Sequence, residues 1–307
     1  MAKLIMTVEE MADRGKWLAA RQKGIGGSDA SVIVGLNPWK SPFALWLEKT
    51  GQAEPEDLSD NERVYWGQQL EEIVAREFVK RTGKEVRRRG LMQSCEYPYM
   101  LASVDRMLIA EKAGLECKTT ASGREWKDDN LPDAYYVQCQ HYMAVTGCET
   151  WYIAALIGGN RFVWKEVPRN EDDIKALIEA ESAFWHQVEN NIMPAVDGTE
   201  SCAHALAEKF HGGGEEIMLP TDAENIFKSL DELTETEAVL KAQIEEKKNQ
   251  LRAMLGNAEA GRIGDRRVTW KSMTRNTLDS KRIKAERPDI YEQYVKTSQV
   301  RMLKIAG

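Results

Sequence analysis

Leu101-Ala102-Ser103-Val104-Asp105-Arg106-Met107-Leu108-Ile109, a polar turn through Glu111-Lys112-Ala113-Gly114, and Leu115-Glu116-Cys117-Lys118-Thr119-Thr120 read as the two strands of a hairpin. Charged residues sit inside both strands, where they are least expected. Side chains two apart on a strand share a face, so Glu116 and Lys118 point together and the partner strand brings Asp105 beside them. Two carboxylates converging on one point repel unless a cation lies between them. Hard oxygen ligands of this kind suit Mg²⁺ or Mn²⁺ rather than zinc. A lysine beside such a cation can orient or help deprotonate water, or stabilise charge on a phosphoryl oxygen. The spacing D-x10-E-x-K alone arises often on solvated strand faces, so the surrounding chain decides its meaning.

Upstream, Asn61 to Thr82 reads as a long amphipathic helix ending at Gly83, and it carries Trp66-Gly67-x3-Glu71. Downstream, Pro132 to Thr146 has helical spacing, with Gln138 and Tyr142 four apart on one face. Before these, Thr7 to Arg21 reads as a helix that Gly24-Ile25-Gly26-Gly27 breaks, with Ser28 or Asp29 capping the next short helix. Pro42 to Lys49 is helical and stops at Gly51, and Trp39 and Trp46 read as core aromatics sooner than as a wedge or stacking surface for a nucleic acid. Trp151 to Ile157 and Phe162 to Val167 form a second strand pair, and Asp172 to Asn190 a further helix. The order of helices, sheet, helix, sheet, helix predicts a mixed α/β domain over residues 1–198.

A linker over 199–221, holding Gly212-Gly213-Gly214, leads to a separate module over 222–307. There Ile226, Leu230, Leu233, Leu240, Ile244, Leu251 and Met254 fall on a heptad grid whose charged members are Glu237 and Lys247. Such a helix can pack on itself, on a neighbouring subunit or on a partner. Gly256 and Gly261 close it, and Arg266 to Lys271 reads as a short basic strand.

The composition bounds the function. With 42% hydrophobic and 30% charged residues and a mean hydropathy of -0.51, the 307-residue chain is a water-soluble globular protein, without an apolar run long enough to span a bilayer. Acidic residues occupy the N-terminal stretch where a signal peptide would be apolar, so export is not expected. Five cysteines without CxxC pairing suit a reducing compartment and exclude a disulfide framework. The four histidines, His141, His186, His204 and His211, have no ligand spacing. The net charge of -7 speaks against a nucleic-acid partner, but residues 262–307 hold 12 Lys and Arg against five Asp and Glu. An acidic body thus carries a basic tail.

The blocks Trp17-x3-Arg21-x2-Gly24-Ile25-Gly26-Gly27-Ser28-Asp29, Trp66-Gly67-x3-Glu71, Asp105, Glu116-Cys117-Lys118 and Ala134-Tyr135-Tyr136-Val137-Gln138-x3-Tyr142-Met143 together resemble a known family. It is the phage lambda exonuclease and YqaJ-type viral recombinase family of the PD-(D/E)XK nuclease superfamily, and the resemblance runs in order over residues 14–190. It implies a restriction-endonuclease-like core, a central mixed sheet flanked by helices, here with a C-terminal helical appendage. Asp105 and Glu116 match the family's metal-binding carboxylates, Lys118 its catalytic lysine, and Glu71 the helical acidic residue that completes the site. Gln138 and Tyr142 match its Q-x3-Y helix, and the Cys117 backbone carbonyl falls where such carbonyls complete the metal site. Arg21 and Ser28 fall where the family binds a 5′-phosphate, a sensible pairing of guanidinium fork and hydroxyl beside glycine backbone. Arg87, Arg88 and Arg89 are candidates for tracking the DNA backbone. Two positions depart from the family pattern: Val104 stands for the proline before the first aspartate, and Arg106 for the glycine after it.

The implied activity is 5′ to 3′ exonucleolytic hydrolysis of linear double-stranded DNA to 5′-mononucleotides with two Mg²⁺ ions, Mn²⁺ being able to substitute. The implied setting is phage or prophage recombination in bacterial cytoplasm, with a single-strand annealing protein as partner and a homotrimer encircling DNA. A RecB/Cas4-like nuclease with an iron-sulfur cluster is an alternative, but the usual late cysteine triplet is missing. A DNA-binding scaffold that keeps the fold without activity is another, and the intact Asp105, Glu116, Lys118 and Gln138 set argues against it.

Overall fold

The computed structural model describes residues 2–55, 57–58, 60–128, 130–297 and 301–305. The chain divides into two units, Met1–His211 and Gly212–Gly307. The first runs β1 (Ala2–Met6), α1 (Val8–Met11), α2 (Arg14–Gln22), α3 (Gly27–Ile33), α4 (Pro42–Lys49), α5 (Glu62–Thr82), β2 (Val86–Arg87), β3 (Leu91–Ser94), β4 (Leu101–Ala102), β5 (Arg106–Leu108), β6 (Ala113–Thr120), α6 (Asp133–Thr146), β7 (Thr150–Ile157), β8 (Arg161–Pro168), α7 (Glu171–Glu189) and α8 (Glu200–Lys209). Among the described residues no helix is long and apolar enough to cross a membrane.

Five strands form one mixed sheet in the order β2-β5-β6-β7-β8, and the parallel β6-β7 pair is bridged by α6. Parallel neighbours need such a crossover, whereas β7 and β8 turn back through Gly158 and Gly159 as a plain hairpin. The two strand pairs expected from the sequence are thus one sheet. Alternation sorts its faces. Trp151, Ile153, Ala155 and Ile157 pack with Cys139, Tyr142 and Met143 of α6. Leu108, Leu115, Tyr152 and Ala154 meet Val74, Ala75 and Phe78 of α5 on the opposite side. Since Leu115 points to α5, Glu116 and Lys118 alternate with it and Cys117 so as to face α6.

The predicted first hairpin is corrected. Leu101 and Ala102 pair with β3 in a separate β1-β3-β4 sheet, and the chain changes sheets through Ser103-Val104-Asp105. Arg106 and Met107 then pair with Leu115 and Gly114 of β6. The predicted Thr7–Arg21 helix is also two helices. Thr7 and Glu10 cap α1 reciprocally, and Asp13 accepts from the Lys16 N–H to start α2. Two caps six residues apart leave no room for one helix. α3 begins at Gly27 after Gly26, so Asp29 lies inside the first turn, accepting from the Gly26 N–H, rather than at its cap.

A third layer gathers Ile25 of the loop before α3 with Val32, Phe43, Trp46, Phe184, Cys202 and Ala205 from α3, α4, α7 and α8. Residues 200–209, read from sequence as linker, therefore form a helix held in this core by Cys202 and Ala205. Trp46 is buried against Phe43, as expected, but Trp39 is 78% exposed beyond the Asn37 turn and is no core residue.

Gly114 shows how tightly the central strands meet. A Cβ there would lie 2.2 Å from the ring of the fully buried Trp151. Gly114→Ala is expected to destabilise the fold by about 1–3 kcal/mol through overpacking. The check is a lower urea midpoint at unchanged slope.

The second unit holds the long helix α9 (Ala223–Leu255), a hairpin of β9 (Ala260–Ile263) and β10 (Arg266–Thr269), α10 (Ser280–Glu286) and α11 (Pro288–Tyr294). Gly256 ends α9 as expected, whereas Gly261 belongs to β9.

Candidate active site

β6 brings Glu116 and Lys118 to the α6 face, where Gln138 meets both. The Lys118 ammonium donates to Glu116 Oε1 at 2.6 Å and to Gln138 Oε1 at 3.0 Å. The Gln138 amide donates to the same Glu116 oxygen at 2.8 Å and to the Tyr142 hydroxyl at 2.9 Å. Tyr142 in turn donates to the Ser103 carbonyl at 2.9 Å, tying α6 to the segment that leads into Asp105. Gln138 and Tyr142 are one turn apart, so a single helix face supplies both links. The Tyr135 ring lies 4.8 Å beneath the Lys118 ammonium.

Asp105 comes in from the sheet-switching segment, and its carboxylate accepts the Cys117 N–H at 2.7 Å. Burial, then the neighbouring Glu116 and Glu71 carboxylates, push its carboxyl well above the usual aspartate range. Burial disfavours the Lys118 cation, but Glu116 and Asp105 outweigh it and hold the proton more firmly than in a free lysine. Lys118 is therefore an ammonium donor.

Glu116 Oε2 is buried without a hydrogen-bond partner. A buried carboxylate oxygen left open costs free energy unless a cation or proton meets it. Together with Asp105, the pair fits a hard divalent cation by the chemistry of its donors, with the Cys117 carbonyl available from the same strand. No group of three or more His, Cys, Asp or Glu side chains positioned to hold a metal occurs among the described residues.

Arg106 explains where the third carboxylate goes. It is one residue after Asp105, so alternation turns it toward α5, and it is 4% exposed. Its guanidinium donates to Glu71 at 2.5 Å, to Glu72 at 2.7 Å and to the Asp105 carbonyl at 2.6 Å. Glu71 lines the same cavity as Asp105, yet its carboxylate is ion-paired with Arg106.

That cavity, about 630 Å³, is also lined by Trp17, Arg21, Gly27, Ser28 and Arg89. Arg21 stacks over Trp17 and donates to the Ser28 hydroxyl at 2.9 Å. Asp29 anchors it at 3.3 Å and also meets Lys49 at 2.8 Å. Burial works against the charged form of Asp29, but Lys49 and then Arg21 hold its carboxyl far below the usual range. A Cβ at Gly27 would lie 2.5 Å from the Tyr142 ring, so glycine lets α3 approach α6 and sets Ser28 beside the acidic cluster. Arg88 and Arg89 line the cavity, Arg88 pairing with Glu72 at 3.4 Å, whereas Arg87 lies on the exposed edge of β2. Sequence reasoning missed Lys49. Nothing near it signals a role, and the α4 fold alone brings it under the glycine loop, where it also donates to the Gly24 carbonyl at 2.6 Å.

His141, assigned no role, is fully buried between Glu181 at 2.7 Å and the Leu101 carbonyl at 2.9 Å, and it ties α6 to α7 and β4. The five cysteines are free thiols.

A mixed sheet that carries an aspartate at the entry of β5 and Glu-x-Lys on β6, crossed by a Gln-x3-Tyr helix, is the arrangement that the sequence resemblance implies. Sequence comparison makes the family specific. The chain belongs to the YqaJ-like viral recombinase family, whose description matches residues 16–149. The uncharacterised protein YqaJ of Bacillus subtilis is 42% identical over 308 residues, covering 98% of this chain and 96% of that protein. An uncharacterised protein of Acanthamoeba polyphaga mimivirus is 24% identical over 160 residues, 47% of this chain and 29% of the viral protein. Among solved structures, an alkaline exonuclease from Laribacter hongkongensis superposes with a TM-score of 0.48 at 18% identity, covering 58% of this chain and 94% of its own.

Proposed function

We propose that the chain is a metal-dependent 5′ to 3′ exonuclease that degrades linear double-stranded DNA to 5′-mononucleotides. The observation that carries this reading is the shared cavity, which Asp105 and Gln138 line together with Arg21 and Ser28. A hydrolytic centre and an anion pocket on one cavity fit an enzyme that holds a terminal phosphate while the adjacent phosphodiester is cut.

Asp105, Glu116 and the Cys117 carbonyl would hold the divalent ions, which supply Lewis acidity and a water nucleophile at neutral pH. Lys118, as an ammonium, donates toward the phosphate as negative charge gathers there. Gln138 fixes Lys118 and Glu116 in register, and Tyr142 fixes Gln138. Arg21 and Ser28 bind the 5′-phosphate, Asp29 preventing the guanidinium from swinging away. Arg88 and Arg89 guide the duplex backbone, with Arg87 at the rim. The family setting supports action in phage-type recombination inside a bacterial host, beside a single-strand annealing protein and as a homotrimer of the nuclease unit.

The test is digestion of linear duplex with and without a 5′-phosphate, in Mg²⁺ or Mn²⁺ and in EDTA. Mononucleotide release from phosphorylated ends, abolished by EDTA, is expected. Arg21→Ala should reduce the preference for phosphorylated ends by about 10- to 100-fold, the worth of one or two charge-assisted hydrogen bonds. Cleavage of closed circles would mark an endonuclease instead, and DNA binding without cleavage a scaffold.

A further inference from the structure

The apolar stripe of α9 lies outside the nuclease site and is left open to solvent. Ile226 is 69% exposed, Leu233 66%, Ile244 54% and Met254 82%. Along the helix the stripe positions are 226, 230, 233, 237, 240, 244, 247, 251 and 254, alternating steps of four and three residues without a break. This is the seam of a two-stranded coiled coil rather than the broader face of a helix packed on a globular core. Two of its members are charged, Glu237 and Lys247, and they sit symmetrically about Ala242.

That symmetry selects the occupant. If a second α9 runs antiparallel with the twofold axis at Ala242, Glu237 faces Lys247 of the second copy and Lys247 faces its Glu237. The same register sets Leu240 against Ile244, Leu233 against Leu251, and Leu230 against Met254, so every other layer is apolar. Sliding by one heptad in either direction places Glu237 against Met254 or Leu240, and Lys247 against Ile244 or Leu230, burying each charge unpaired. A parallel pair sets Glu237 on Glu237 and Lys247 on Lys247, two like-charge layers. Just outside the seam, Phe227 and Leu255 meet across the antiparallel pair and extend its apolar contact. Lys241 meets its own copy near the axis, but it is 70% exposed and paired with Glu237 of its own helix at 2.9 Å. Salt and that neighbour screen it.

We infer that α9 is a self-association helix that joins two copies of this chain as an antiparallel coiled coil, its register set by the reciprocal Glu237 and Lys247 layers. The pairing is independent of the nuclease reading and of how many copies the Met1–His211 unit assembles. It doubles whatever assembly that unit forms.

The test is the mass of the full-length chain by sedimentation equilibrium, for wild type, Glu237→Lys, Lys247→Glu and the double reversal. Each single reversal puts like charges into both charged layers, so its assembly mass is expected to fall to half that of wild type. The double reversal rebuilds both pairs and is expected to recover the wild-type mass, which separates loss of pairing from loss of fold. Single reversals with unchanged mass would overturn the inference and leave parallel pairing or a different protein as the occupant of the stripe.

Discussion

Lys118→Ala lowers the rate of duplex digestion by about 10²–10³-fold while leaving DNA binding and the thermal transition close to wild type: this is the expected result. The magnitude is that of removing one preorganised donor from a site of developing charge. Despite its burial Lys118 keeps its proton, which Glu116 and Asp105 hold in place. An ammonium contributes charge and a directed hydrogen bond, and alanine supplies neither. The fold is expected to survive because Glu116 Oε1 keeps its bond from Gln138, and Gln138 keeps Tyr142. The measurement is single-turnover release of labelled mononucleotide at saturating enzyme, with binding followed separately in EDTA. A rate within threefold of wild type would show that Lys118 only packs and neutralises.

The second large effect is on stability. Asp29 and Lys49 are a nearly buried pair, their side chains 11% and 6% exposed. Removing one partner of such a pair leaves the other charged and unmatched, at a cost of about 3–5 kcal/mol. Asp29→Asn is therefore expected to lower the free energy of unfolding by about that amount at neutral pH. The loss has a defined pH dependence. Lys49 and Arg21 depress the Asp29 carboxyl in the folded state, so below its unfolded value of about 3.9 the unfolded chain binds a proton that the native state does not. The pair's contribution is complete above that value and is lost progressively as the pH falls below it. Denaturant titrations of wild type and Asp29→Asn should thus differ most at pH 7 and converge in acid. A difference that stays constant from pH 7 to pH 3 would show that packing, not charge, is lost.

Much of the fold is legible in the sequence because its signals are local. Pro42 with Gly51 and Asn61 with Gly83 mark the ends of α4 and α5 within a residue or two, and helical spacing up to Thr146 marks the end of α6. The strand pair read at Trp151–Ile157 and Phe162–Val167 likewise matches β7 and β8 within a residue. The failures share a cause. Leu101 to Ile109 reads as one strand because nothing local tells Ala102, paired with Met92, from Arg106, paired with Leu115. Partner choice in a sheet is made by distant chain. The caps set by Thr7 with Glu10 and by Asp13 lie inside a stretch whose helical period runs on uninterrupted, so the break between α1 and α2 does not show in the spacing. Helix α8 was hidden beside a glycine-rich stretch, since its membership of the core depends on α4 and α7.

The sequence by itself determined the chemistry: the residue types and order of Asp105, Glu116, Lys118, Gln138 and Tyr142, and the heptad grid of α9. Spacing along a strand or helix fixes which side chains share a face, and that is local geometry. Tertiary structure alone decided which faces meet. It set Gln138 between Lys118 and Glu116, left Glu116 Oε2 open, and drew Lys49 from α4 beneath Asp29. It also settled Arg106, one of the two departures from the family pattern, by turning it to the α5 side of the sheet, where Glu71 and Glu72 receive it. Charges separated by dozens of residues find one another only after burial of the apolar faces has fixed the layers, because that burial supplies the driving force and the charges choose among the arrangements it permits.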